Sequence, residues 1–243
     1  PDTRPDPANW TIWPVIPTVS GTARDIYRRG QELGNNPHYF SVIGDCQSLP
    51  ETFMGIYDDG GYFLGEQYAY LQDTIDYFAG SFDAPRLAAK DGMLPATALS
   101  PTWADSSVCQ ADETPVDCEL RVNKPAFIFI ALGTNWPAQT TTEKFEKYMR
   151  QVLDKVIAAG TLPILATKAD DAEGGNTINM VVVKLAYEYD IPLMNFWQVA
   201  QLLPNGGLDK ARENIYLTIE GWNLHSFTGL QTLDAVWKGV QGE

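Results

Sequence analysis

The sequence predicts an α/β fold in which a mainly parallel sheet is covered by helices on both faces. Three observations lead to this fold class. Short runs of Ile, Phe, Leu and Val are apolar at every position, as expected for fully buried strands. Segments with the apolar spacing of helices lie between these runs. The 243 residues suffice for one well-buried domain, and no segment has the composition of an interdomain linker.

Strands and helices alternate along the chain after residue 20. Ser20 can cap the first helix, which Gly34 ends. The predicted strands span residues 39–43, 86–90, 125–132, 161–167 and 191–196. The predicted helices span residues 21–33, 64–80, 141–160, 178–189 and 226–240. Functional sites in such folds lie at the carboxyl ends of the strands.

Residues 1–19 are rich in proline, holding five of the 16 prolines, and have no helical or strand periodicity. We predict an extended N-terminal arm, followed by a single domain over residues 20–243. Trp10 and Trp13 are expected to dock on the chain's own body. The alternative is self-association, in which the arm reaches a neighbouring subunit. Asn9 begins an Asn-Trp-Thr glycosylation sequon, which leaves glycosylation of this residue open.

Charge and hydropathy exclude several classes of partner. The chain has 31 Asp and Glu against 17 Lys and Arg, a net charge of −14, whereas nucleic acids and anionic membranes require basic patches. No stretch approaches the roughly 18 apolar residues of a membrane-spanning helix. The first ten residues lack the pattern of a signal peptide. We predict a soluble protein, secreted or extracellular, with no nucleic-acid partner and no membrane span.

The three cysteines differ in their surroundings. Cys109 and Cys118 bracket a polar segment, which is typical of a local disulfide that closes a surface loop; two unpaired thiols are the alternative. Such a bridge contributes about 2–3 kcal/mol to stability. Cys46 is left unpaired. No zinc-binding pattern is present, and the acidic segments 58–59 and 170–173 are interpreted as solvated turns, so neither a metal nor a cofactor is predicted.

Small polar motifs follow the predicted strands. Gly-Asp-Cys-Gln-Ser, residues 44–48, follows the first strand, and Asp91-Gly92 follows the second. Gly133-Thr134-Asn135 follows the third, and His225 directly precedes the last predicted helix. The order of these motifs resembles that of the SGNH (GDSL-type) hydrolases, in which Gly-Asp-Ser lies near the N-terminus and Asp-x-x-His precedes the final helix. The resemblance covers residues 39–240 in organisation.

The resemblance implies a three-layer α/β/α sandwich with a five-stranded, mainly parallel sheet, and hydrolysis of esters or acylated glycans without a metal. Cys46 would occupy the place of the family's serine nucleophile. The backbone N–H groups of Cys46 and Gly92 and the side-chain amide of Asn135 would form the oxyanion hole, the set of donors that stabilises a tetrahedral intermediate. Trp136 stands where the family has aspartate.

The position of the general base differs between two alignments. In the first, His225 is the base, with Trp222 three residues before it and Glu220 as the nearest acid. In the second, Glu213 and Tyr216 take the places of the family's Asp and His, and a tyrosine with a pKa of about 10 is a poor base at neutral pH. Two hypotheses follow: a secreted hydrolase with a cysteine nucleophile, or a catalytically inactive relative that acts in ligand binding or in assembly through its arm.

Overall fold

The strands of the sheet follow one another in the chain and pair side by side in the order β1-β2-β3-β4. The computed structural model describes residues 5–137 and 140–242, so residues 1–4 of the predicted arm lie outside the described part. All three strand pairs are parallel, as predicted. The strands are β1, Asn36–Gly44; β2, Pro125–Ala131; β3, Leu162–Ala166; and β4, Leu193–Met194.

Helices flank the sheet on both sides. The α-helices of the described residues are α1, Gly21–Glu32; α2, Ile56–Asp59; α3, Gln72–Tyr77; α4, Pro95–Ala98; α5, Pro115–Asn123; α6, Thr142–Ala158; α7, Thr177–Tyr189; α8, Phe196–Ala200; and α9, Ile219–Gln241. Short 3-10 helices span Pro7–Ile12, Cys46–Ser48, Glu66–Leu71, Pro101–Trp103, Pro204–Gly207 and Lys210–Arg212. Helices α1 and α9 contact one another and the sheet, while α5, α6 and α7 form a second row. The predicted fold class is therefore confirmed.

The predicted strand over residues 86–90 is reduced to a single bridge, so the described sheet has four strands rather than five. Ala89 pairs in parallel with Gly44, and the backbone N–H of Lys90 donates to the Gly44 carbonyl at 3.1 Å. The backbone N–H of Leu87 instead donates to the buried carboxylate of Glu119 at 2.6 Å. Because the Leu87 N–H is used in this bond, it cannot pair with a neighbouring strand. The single bridge still holds this segment beside the end of β1.

Two predicted helices have different limits in the structure. The helix predicted over residues 64–80 is split into a 3-10 helix and the short α3, preceded by Gly65 with a φ of 68°. The last helix begins at Ile219 rather than at residue 226, because the hydroxyl of Thr218 caps it by accepting from the N–H of Gly221 at 3.1 Å. His225 consequently lies inside α9.

The N-terminal arm packs on the chain's own body. It contains a 3-10 helix over Pro7–Ile12 and is therefore not extended throughout. Trp10 and Trp13 are both buried, and Trp10 packs edge-on against Trp197 with ring centres 4.7 Å apart. The side-chain amide of Asn195 donates to the carbonyls of Trp10 and Trp13 at 2.9 and 3.1 Å. Side-chain packing and hydrogen bonds thus hold the arm against α8.

The predicted disulfide is confirmed. Cys109 and Cys118 are bonded, with their Cα atoms 5.3 Å apart, and the bridge ties a surface loop to α5. Cys46 is free, as predicted. Within the described ranges, the structure contains no helix that combines the length and apolar character needed to cross a membrane.

Candidate functional site

The turn after β1 presents Cys46 at the carboxyl edge of the sheet. A Cβ on Gly44 would lie 2.1 Å from the hydroxyl of Ser48, so this close approach requires glycine. Asp45 caps the 3-10 helix that follows, and its carboxylate accepts from the backbone N–H of Gln47 at 3.0 Å. Cys46 is 8% exposed, so a small part of the residue remains accessible to solvent.

The phenol of Tyr216 lies beside the thiol of Cys46, close enough to lower the pKa of the thiol. Burial raises the pKa of Cys46 to about 12, and the carboxylates of Asp45 and Asp91 act in the same direction. The pKa of Tyr216 is raised above its usual value, first by the charge of a Cys46 thiolate and then by burial. Both shifts favour the protonated forms of the two groups at neutral pH.

Tyr216 reaches Cys46 from a loop that is closed on itself. Leu208 and Leu217 form an antiparallel bridge, and the backbone N–H of Asp209 donates to the carbonyl of Tyr216 at 2.9 Å. Glu213 lies at the tip of this loop, exposed and with a φ of 59°. The structure thus brings to Cys46 the tyrosine of the second alignment.

His225 lies in an aromatic environment within α9. Its ring is 4.4 Å from the ring centres of both Phe53 and Phe196, and it is 4% exposed. Burial lowers the pKa of His225 to about 3, and the positive charge of Arg86 lowers it further. Its Nδ1 has no hydrogen-bond partner in the described residues. Glu220 is exposed in the first turn of α9, where a carboxylate interacts favourably with the helix dipole.

The residues proposed for an oxyanion hole keep free donors. The side-chain nitrogen of Asn135 is buried, and no hydrogen-bond acceptor for it occurs in the part of the chain that the structure describes. Gly92 lies in a turn with a φ of 75°, and its N–H likewise has no acceptor within the described ranges. Trp136, at the family's aspartate position, is buried and packs edge-on against Phe145 with ring centres 5.3 Å apart. A ligand oxygen would satisfy donors of this kind.

Asp45 links the Cys46 turn to the Asn135 turn. Its buried carboxylate accepts from the backbone N–H of Thr134 as well as from that of Gln47. Burial raises the pKa of Asp45 to about 7, the charge of Asp170 adds to this rise, and the two hydrogen bonds oppose it. The two turns that carry the candidate site residues are thereby joined through one side chain.

The acidic segment after β3 is not the solvated turn that the sequence predicts. Asp170 and Glu173 are buried, and the ammonium group of Lys168 lies 2.6 Å from a carboxylate oxygen of each. The other oxygen of Asp170 accepts from the hydroxyl of Thr134 at 3.0 Å. Lys168 supplies the positive charge that makes burial of these carboxylates tolerable, and the network supports the Asn135 turn from behind.

A small internal cavity of about 30 Å³ lies beneath the site. Asp45, Thr134, Lys168, Asp170 and His225 are among the residues that line it. This volume corresponds to roughly one water molecule.

Sequence reasoning missed two contacts at the site. The indole N–H of Trp222 donates to the side-chain oxygen of Gln47 at 2.7 Å, which fixes the residue next to Cys46. The guanidinium of Arg212 stacks on the ring of Tyr216, with its carbon 3.6 Å from the ring centre. The only sequence signal for this second contact is that Arg212 and Tyr216 are four residues apart.

No protein-family model and no curated protein sequence matches this chain. Among solved structures, it is similar to the psychrotrophic esterase EstA from Pseudoalteromonas sp., in a crystal structure inhibited by monoethylphosphonate. The TM-score is 0.54 at 15% sequence identity, and the alignment covers 81% of this chain and 97% of the esterase chain. The chain therefore has an α/β fold similar to the fold of that esterase.

Proposed function

We propose that this chain is a secreted, hydrolase-fold protein that binds an ester or acyl ligand at Cys46 without hydrolysing it. The observation that carries this proposal is that Tyr216, rather than an imidazole, lies beside the Cys46 thiol. Burial raises the pKa of Cys46 to about 12, which favours the thiol over the thiolate at neutral pH. The disulfide supports an oxidising compartment.

The donor side of the site supports binding. The Asn135 amide nitrogen is buried without an acceptor in the described residues, and leaving such a donor unpaired costs about 1–3 kcal/mol. A ligand carbonyl oxygen that accepts hydrogen bonds from the Asn135 amide and the Gly92 N–H removes this unfavourable free energy. Binding of an acyl group thus needs no thiolate, whereas hydrolysis through Cys46 does.

Assembly through the arm has less support than ligand binding at Cys46. Trp10 and Trp13, its two largest side chains, are buried against the chain itself, so their apolar surface is not available to a second subunit. We therefore place the function at Cys46 rather than in assembly through residues 1–19.

Ligand-observed NMR with methyl butyrate tests the proposal. We expect saturation transfer to the ester from the wild-type chain, no release of methanol, and loss of binding in Asn135→Ala. The matched control is Asn9→Ala, because Asn9 is exposed in the arm. Failure of methyl butyrate to bind would overturn the proposal, and so would methanol release that Cys46→Ala abolishes.

A further inference from the structure

Arg212 has an unused guanidinium beside the candidate site. Each of the other six arginines in the described residues donates a hydrogen bond to a carboxylate or a backbone carbonyl: Arg24, Arg28, Arg29, Arg86, Arg121 and Arg150. The guanidinium of Arg212 makes no hydrogen bond within the described ranges, and its contact is the ring of Tyr216. The structure thus leaves its N–H donors free.

The loop that carries Arg212 is held in place by backbone bonds. Asp209 caps its 3-10 helix by accepting from the N–H of Ala211 at 2.8 Å, and the N–H of Ile215 donates to the Arg212 carbonyl at 3.2 Å. The Leu208–Leu217 bridge closes the base of the loop. Little backbone freedom is lost when a ligand binds here, because the loop is already ordered by these contacts.

Stacking on Tyr216 decides which part of Arg212 a ligand can contact. The ring covers one face of the guanidinium, and no residue in the described ranges accepts a hydrogen bond from its N–H groups. A planar fork of N–H donors matches a carboxylate, which it binds with two parallel hydrogen bonds. The same tyrosine lies beside the Cys46 thiol, so a ligand at Cys46 is near Arg212.

We propose that Arg212 binds a carboxylate of the ligand, so that the ligand class is an ester or acyl compound with a second, anionic end. This inference rests on the proposed function and names its ligand more closely. Asp91 raises the pKa of both Cys46 and Tyr216 by its negative charge, so an anionic end of a ligand needs a cation at this site, and Arg212 lies on the ring of Tyr216. In a chain with a net charge of −14, a local cation is needed to hold any anion.

Two matched esters test this assignment by calorimetry at low salt. Monomethyl succinate differs from methyl butyrate by a carboxylate in place of the terminal methyl group. We expect the wild-type chain to bind monomethyl succinate about 10-fold more tightly, because a charge-assisted hydrogen-bonded pair is gained. Arg212→Gln should abolish this preference, and Arg212→Lys should keep part of it, since it retains the charge but not the fork.

Lys210→Gln is the matched control, because it removes the same charge from the same exposed 3-10 helix. The preference should persist in this variant, and an unchanged melting temperature should show that each variant is folded. Equal binding of both esters by the wild type, or equal loss of the preference in Lys210→Gln and Arg212→Gln, would overturn the assignment while leaving the proposed function standing. Binding of neither ester would overturn the proposed function and this inference with it.

Discussion

The phenol of Tyr216 lies beside the thiol of Cys46 at the carboxyl edge of the sheet. In a hydrolase with a cysteine nucleophile, a histidine at this place would accept the thiol proton and hold the imidazolium beside the thiolate. A phenol whose pKa is raised is a poorer acceptor for the thiol proton than an imidazole. The proposal that Cys46 binds a ligand without hydrolysing it follows from this difference.

The first prediction concerns the ionisation of Cys46. We expect its alkylation by iodoacetamide to remain slow through neutral and mildly alkaline pH, because burial raises the pKa to about 12. Tyr216→Phe should shift the pH profile of alkylation to still higher pH, because the Tyr216 phenol lowers the pKa of Cys46. A plateau of fast alkylation at neutral pH would contradict this picture of the thiol. Cys46 is the free cysteine, so the label reports on one site.

The second prediction concerns stability at acid pH. Burial lowers the pKa of His225 from 6.5 to about 3, so between these values the unfolded chain binds a proton that the folded chain does not. The contribution of neutral His225 to the free energy of unfolding is complete above pH 6.5 and is lost as the pH falls towards 3. His225→Leu should flatten this part of the pH profile, with each pKa unit worth about 1.4 kcal/mol.

Urea unfolding at a series of pH values measures this effect. His38→Leu is the control, because His38 is exposed and the buried His225 is unchanged in that variant. An acid slope that is the same in wild type and His225→Leu would show that His225 is already protonated in the folded state.

The sequence predicted the fold well where burial alone decides it. Strands β2 and β3 are continuous apolar runs that a two-sided core requires, and residues 40–44 of β1 are buried as well. The strand at residues 86–90 was wrong because the Glu119 carboxylate, distant in sequence, takes the N–H of Leu87. The structure of that segment depends on a side chain distant in sequence, and the local sequence pattern does not indicate this contact.

The sequence places the turns of Asp45 and Asn135 after β1 and β2, because the strand order determines where these turns lie. It leaves the base position ambiguous. The choice between Tyr216 and His225 depends on where the loop before α9 closes, and the Leu208–Leu217 bridge that closes it is a tertiary contact. The same reason explains the acidic segment 170–173, whose burial depends on its pairing with Lys168.

The third prediction concerns the disulfide. Replacing both Cys109 and Cys118 with serine should lower the free energy of unfolding by about 2–3 kcal/mol, because the short loop is no longer closed in the unfolded chain. Thiol counting on the denatured, non-reduced wild-type chain should find one thiol. Three thiols would contradict the bridge, and an unchanged stability in the double variant would contradict its energetic role.

The fourth prediction concerns the arm. Trp10→Ala should cost about 3–5 kcal/mol of stability, because it empties a buried site against Trp197. The control is Ile12→Ala, since Ile12 is 72% exposed in the same 3-10 helix. Sedimentation should find the same assembly state in both variants. A changed assembly state with unchanged stability would instead indicate that the arm binds a neighbouring subunit.

An acylation assay tests whether Cys46 acts as a nucleophile. The wild-type chain is incubated with p-nitrophenyl acetate at neutral pH, while intact mass and nitrophenolate release are followed together. We predict no acetyl group on Cys46 and release at the rate of the buffer alone, because burial raises the pKa of the thiol to about 12 and the neighbouring Tyr216 is a poor base. Acetylation of Cys46, with release that disappears in Cys46→Ala, would contradict the account.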